Sequence, residues 1–198
     1  MTAPDPFERL ARLAGDGAPS SDFDLAPDLR PQGRVLRAAA VLIGFEADEG
    51  QTRLYLTKRS SGLKHHPGQI AFPGGKVDAG DADAPAAALR EAREEIGLPE
   101  RHVEVLGTLA PHETVTGFSV TPVLGRITRG FTPVPEAGEV DEVFTVPFEH
   151  IADPSKYVVE SRFFRGVRRE FYTVPYGPYY IWGATARILR GLADRLTA

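Results

Sequence analysis

Arg90-Glu91-Ala92-Arg93-Glu94-Glu95-Ile96-Gly97-Leu98 follows shortly after Phe72-Pro73-Gly74-Gly75. Asp83 and Pro85 supply a cap and a first-turn proline, and Gly97 supplies a stop, so a helix is predicted between them. Leu89, Ala92 and Ile96 give that helix an apolar face directed away from three glutamates. Glu91 and Glu95 are four residues apart and share a face, with Glu94 close by. Carboxylates at that spacing repel one another. A divalent cation relieves the repulsion, and hard cations such as Mg²⁺ select oxygen ligands. The stretch reads as a metal site for phosphate chemistry, with Glu91 and Glu95 ranked first as ligands and Glu94 beside them. The alternative is a solvated acidic face paired to Arg90 or Arg93.

Outward from this helix the pattern is mixed. Asp5-Pro6-Phe7 opens a short helix with Phe7, Leu10 and Leu13 as its apolar positions. Residues 15–33, rich in Gly, Pro, Ser and Asp, read as a linker or wrapping loop. Residues 1–33 are thus set apart from a main domain over 34–198. The apolar run within Arg34 to Phe45 predicts a buried strand, and Arg53 to Lys58 its hairpin partner across Asp48-Glu49-Gly50. Residues 59–83 read as one long loop, a length usually reserved for function or disorder. Val103 to Leu109, Ser119 to Ile127 and Val140 to Val146 are further strands. Tyr157 to Phe164 and Arg169 to Val174 predict a hairpin through residues 165–168. Ile188, Leu189, Leu192 and Leu196 give an amphipathic C-terminal helix from Gly183. Strands interspersed with helices predict a mixed α/β or α+β domain.

Composition narrows the function. A chain of 198 residues with 42% hydrophobic content can bury one core. A charged fraction of 25% and a net charge of −4 argue against a nucleic-acid coat or a polybasic membrane patch. No apolar run reaches membrane-spanning length, the N-terminus lacks a secretory pattern, and the C-terminus is not a peroxisomal tripeptide. With no cysteine, thiolate metal sites and thiol nucleophiles are excluded. A cytoplasmic protein with a small-molecule substrate is the expectation, and a homodimer is left open.

Arg90, Glu91, Ala92, Glu94, Glu95, Gly97 and Leu98 match the second half of the Nudix hydrolase signature, which the chain resembles. The first half departs: Asp81 stands where Glu is usual, and eight residues rather than seven separate it from Arg90. The resemblance implies a Nudix fold, a mixed β-sheet sandwiched between helices. It also implies that Arg90, Glu91, Glu94 and Glu95 are catalytic, and that the glutamates bind Mg²⁺ or Mn²⁺. The reaction would be attack of water on a diphosphate. The physics agrees, because a divalent ion neutralises the diphosphate and acidifies water, and a nearby carboxylate can take the proton.

Upstream, Leu56-Thr57-Lys58-Arg59-Ser60, Lys64, Gly68 and Phe72 to Gly75 keep the spacing of the extra signature of the coenzyme A pyrophosphatase branch. Tyr55 and Lys64 are the two substitutions, and Lys64 keeps the charge without the planar fork of Arg. The segment is also basic in its own right, through Lys58, Arg59, Lys64, His65 and His66. Its Gly68, Gly74 and Gly75 permit close backbone approach to phosphate. Lys58, Arg59, Lys64, His66, Gly74 and Gly75 are therefore the candidate substrate contacts; an ordinary basic surface loop is the alternative. The implied reaction is cleavage of coenzyme A and its derivatives to 3′,5′-ADP and 4′-phosphopantetheine. ADP-ribose, NADH or a dinucleoside polyphosphate is the competing substrate class. A non-catalytic nucleotide sensor is the third reading, against which all three glutamates stand. Glu139 and Glu142 are candidates for an extra acid, as is Glu113. Tyr176, Tyr179, Tyr180 and Trp182 are either core or an adenine stack.

Overall fold

The structure is a computed structural model and describes residues 5–15, 17–164 and 166–198. Its elements in order are α1 (Pro6–Ala11), β1 (Ser20–Ser21), β2 (Arg37–Asp48), β3 (Gln51–Arg59), β4 (Ile70–Ala71), β5 (Gly74–Lys76), α2 (Ala84–Ile96), β6 (Val103–Thr108), β7 (His112–Glu113), β8 (Phe118–Ile127), β9 (Val140–Pro147), α3 (Phe148–Ile151), β10 (Val158–Phe164), β11 (Val167–Thr173) and α4 (Gly183–Thr197).

The spine of the sheet is the parallel pair β2–β8, in register from Arg37↔Phe118 to Glu46↔Ile127. β3 lies antiparallel on the other side of β2 and carries β9. Parallel strands at the centre of a sheet are covered on both faces, which is why β2 reads as an unbroken apolar run. Its side chains alternate. Ala40 and Leu42 pack with Ala87, Ala88, Ala92 and Ile96 of α2. Ile43 and Phe45 pack with Leu54 and Leu56 of β3 and with Ile188, Leu189 and Leu192 of α4. The mixed sheet thus lies between helices, as expected. Phe7 and Leu10 of α1 join the second core, and β1 pairs in parallel with β7.

Several elements differ from the sequence reading. The stretch 59–83 is not structureless, because β4 pairs with β3 and β5 with β2. Strands of two and three residues whose partners are distant leave no periodicity to read. The last hairpin is tighter than expected: Val167 and Arg168 belong to β11, and Arg165 of the predicted turn lies outside the described residues. β1, β7 and α3 are equally short and were not foreseen. No helix among the described residues is long and apolar enough to cross a membrane.

The catalytic-signature helix begins and ends where its caps predict. The Asp83 side chain accepts a hydrogen bond from the Ala86 N–H at 2.8 Å, and Gly97 takes φ 71° at the C-cap. Replacing Asp83 by Ala is expected to lower the unfolding free energy by about 1 kcal/mol. A urea titration showing a midpoint unchanged from the parent would contradict that role for the cap.

Candidate active site

α2 lies close against β2 and β5 because small residues line the contact. At Gly74, φ is 155° and a Cβ would run into the Ala40 carbonyl; at Gly75 a Cβ would run into the Glu91 carboxylate. Gly74 therefore lets β5 lie against β2, and Gly75 lets α2 approach until the Glu91 carboxylate meets the β5 backbone. The Gly74 N–H donates to Glu95 Oε2 at 3.2 Å.

The three glutamates are not equivalent. Glu95 is only 5% exposed, so burial on α2 is not confined to the apolar face expected to turn away from the glutamates. Burial pushes its carboxyl up to about 7; the Gly74 N–H opposes the shift, Glu91 adds to it, Arg59 opposes it and Glu139 adds to it. Glu91 is partly buried, and burial raises its carboxyl too, against the pull of Arg90. Glu94 points outward, with its side chain 51% exposed, and pairs with Arg90 at 3.0 Å and Arg93 at 3.7 Å.

Arg90 is a hub. Its Nε and Nη2 donate to the two oxygens of Asp81 at 2.9 and 3.0 Å, Nη1 donates to Glu91 and Glu94, and Nη2 also reaches the Lys76 carbonyl. The fork geometry of guanidinium suits such a carboxylate. These bonds hold the Asp81 carboxyl below the usual carboxylate range, and the Asp81 pair raises Arg90. The shorter acid with one extra loop residue therefore still reaches the helix arginine. The turn closes on itself, with the Asp78 N–H donating to Asp81 at 2.8 Å.

The acidic loop ahead of β9 is tied to the far end of α2. The Val134 and Glu136 N–H groups donate to the carbonyls of Ile96 and Glu95, which a helix terminus otherwise leaves unpaired. The Ser60 N–H donates to the Glu139 carbonyl at 2.8 Å. These ties bring Glu139 into the field of Glu91 and Glu95. Glu142 goes elsewhere. It accepts from the Tyr179 hydroxyl and lies opposite Lys58, in a separate cavity of about 320 Å³. Glu113 pairs with Arg30.

A cleft of about 330 Å³ opens beside Gly74 and takes Arg59, His66 and Gly74 from the predicted contacts. Lys58, one position along β3, faces the second cavity, as strand alternation requires. Lys64 and His65 are exposed and line neither cavity. Gln69, within the upstream motif segment, also lines the cleft, as do Thr114, Thr116, Arg169 and Phe171, which carried no signal in the sequence. Of the aromatic group, Trp182 reaches both cavities, and Tyr179 stacks on Phe144 at a centroid distance of 3.5 Å. Tyr176 packs against His150, and the Tyr180 hydroxyl donates to Glu160. Arg59 Nε is buried and has no hydrogen-bond partner among the described residues. No group of three His, Asp or Glu side chains stands ready as a metal site among the described residues, and Arg90 holds Glu91 and Glu94.

Fold and site together describe one architecture: a mixed sheet between helices, with a carboxylate-bearing helix whose Glu95 is held by the N–H of the cleft-lining Gly74. The NUDIX domain model matches residues 35–166. An uncharacterised Nudix hydrolase, NudL, of Enterobacter sp. strain 638 is 45% identical over 157 residues, spanning 79% of this chain and 81% of that one. Its namesake from Citrobacter koseri is 44% identical over 83% of this chain and 88% of that one. The chain belongs to the Nudix family. Among solved structures, the Nudix hydrolase RenU of M. smegmatis is 25% identical, covering 62% of this chain and 83% of its own, with a TM-score of 0.51. A MutT/nudix family protein of Enterococcus faecalis covers 100% of this chain and 76% of its own, with a TM-score of 0.53; at 15% identity it speaks for the fold alone.

The position of Glu95 carries a pH signature. The folded protein keeps its proton up to about pH 7, whereas an ordinary glutamate releases it near 4.5. Stability from this group is therefore fully present below pH 4.5 and is lost as the pH rises through 7. The loss is on the order of 3 kcal/mol in metal-free buffer. Glu95→Gln should remove that part of the slope, and urea titrations of both proteins across the window measure it. Parallel pH profiles for the two would contradict the burial of a free carboxyl.

Proposed function

We propose that this Nudix hydrolase cleaves the diphosphate of coenzyme A and its derivatives, releasing 3′,5′-ADP and 4′-phosphopantetheine. The observation that carries the reading is Arg59. Its signature position comes from the upstream motif, it lines the cleft beside Gly74, and its buried Nε lacks a partner. A buried guanidinium N–H without an acceptor is costly and suits an anionic ligand.

The residues fit a divalent ion. Glu91, Glu95 and Glu139 offer hard oxygen donors within one another's field, and their mutual repulsion together with burial is what a cation would relieve. Mg²⁺ or Mn²⁺ would supply charge neutralisation at the diphosphate and acidify water. Glu91 and Glu95 are the proposed principal ligands, with Glu94 and Glu139 in reach of the same charge. Glu94 would join only by leaving Arg90. Arg90 is a positioning residue in this scheme, since its donors are directed at Asp81, Glu91 and Glu94. The Gly74 N–H orients Glu95, and Arg59 with His66 binds phosphate.

A second reading is kept because Lys58, Lys64 and His65 lie off the cleft. With fewer cations on the site, the 3′-phosphate loses some of its proposed contacts, and ADP-ribose, NADH or a dinucleoside polyphosphate becomes the competing substrate.

Incubation with coenzyme A and Mg²⁺ or Mn²⁺, followed by chromatography, should yield the two named products. Glu95→Gln is expected to slow turnover by about 10²-fold or more. Turnover no faster than in that variant would sink the reading. Comparing kcat/KM for coenzyme A and its form lacking the 3′-phosphate separates the substrates. A clear preference for coenzyme A that shrinks in Arg59→Ala is expected; equal values would transfer the proposal to the second class.

A further inference from the structure

β10 pairs with β11 along one side, and no other strand among the described residues pairs with its far side. Val158, Val159, Glu160, Ser161, Arg162 and Phe163 are all exposed, Phe163 at 79% and Val159 at 47%. An open edge bearing apolar residues is a template for another strand, and proteins normally guard such edges with Lys, Pro or a bulge. β10 has none of these. Its two charges are of opposite sign and flank Ser161.

We propose that β10 is the interface of a two-fold symmetric dimer, pairing antiparallel with the same strand of a second copy and centred on Ser161. Such an interface must be self-complementary. About Ser161 it is: Val159 falls opposite Phe163 of the second copy, and Glu160 opposite Arg162.

The main-chain pattern agrees. Val174 donates its N–H to the Ile181 carbonyl on the side of β11 away from β10, so Thr173 turns its own main-chain groups toward its partner Val158. The alternation then runs along the ladder. Arg162 and Glu160 thus bond toward β11, while Val159, Ser161 and Phe163 turn their N–H and C=O groups outward. A two-fold axis at Ser161 uses that outward set. It leaves Glu160 and Arg162 at non-hydrogen-bonded pairs, where facing side chains stand closest. Val159 and Phe163 of both copies share the face of the new sheet opposite to these charges.

The interface bears on the site. Arg169, Glu170 and Phe171 of β11 line the cleft, so a second copy braces the hairpin that forms this wall. A single strand pair buries less than the roughly 1,000 Å² of a stable interface, which points to association in the micromolar range.

Sedimentation of the full chain over a concentration series up to about 100 μM should show the mass rising toward twice that of the chain. Glu160→Arg and Arg162→Glu each set like charges across the two-fold and should each be monomeric. Mixed in equal amounts, they should form a heterodimer, because every charge then meets its opposite. Glu160 also accepts from Tyr180, and Arg162 covers Trp182, so either change could disturb the hairpin itself. Phe163→Lys touches neither contact; it should weaken association at least tenfold with an unchanged thermal midpoint. A monomeric parent overturns the proposal. So do single charge variants that dimerise like the parent, or a mixture that stays monomeric while Phe163→Lys still associates.

Discussion

The close contact between α2 and β5 is the constraint on which the site depends. Gly74 lets β5 lie against the backbone of β2, the alanines of α2 pack on Ala40 and Leu42 of β2, and Gly75 leaves room for the Glu91 carboxylate of α2. Glu95 is thereby taken out of water and given the Gly74 N–H as its partner. A carboxylate in that setting gains a proton more readily than one in solution, which is the physical origin of its upward shift. The same contact sets the partly buried Glu91 beside it, so the two acids share one field. Such a pair is unfavourable for a folded protein by itself and favourable for one that takes up a cation, the use proposed for it here.

Arg90 settles how that charge is distributed when the site is at rest. It spans Asp81, Glu91 and Glu94 and turns Glu94 toward solvent. The loop preceding α2 has one more residue and one shorter acid than its family's pattern, and the two changes compensate: Asp81 meets the guanidinium at both oxygens. The far end of α2 is held by the loop that carries Glu139, through the carbonyls the helix cannot satisfy internally. A helix fixed at both ends holds Glu95 against the N–H of Gly74, which lines the cleft, while the carboxylates of α2 themselves stay behind that wall.

The cleft is assembled from segments far apart in the chain. Arg59, His66 and Gly74 come from the β3–β5 stretch, Thr114 and Thr116 from the loop before β8, and Phe171 and Trp182 from the hairpin and the entry to α4. The hairpin wall stands apart from the main sheet with its outer edge open. A pairing of β10 across a two-fold axis would supply the support that the main sheet does not give.

The helix of residues 84–96, the buried run of β2, the amphipathic α4 and the glutamates of the signature were legible in the sequence, because each is set by local periodicity or by caps within a few residues. β4 and β5 were not, since strands of two or three residues exist only through partners elsewhere. Nor could spacing rank the acids. Glu91, Glu94 and Glu95 look alike on a helix, and only the approach of β5 buries one of them while Arg90 holds another at the surface. Likewise Lys58 and Arg59 are neighbours in a basic run, and strand alternation sends one to each cavity. The sequence by itself determined the glutamate-bearing helix and the layer architecture, both written in short-range pattern. Tertiary structure decided which carboxylate is desolvated and which cations face the cleft, because burial and electrostatic field depend on what distant segments bring alongside.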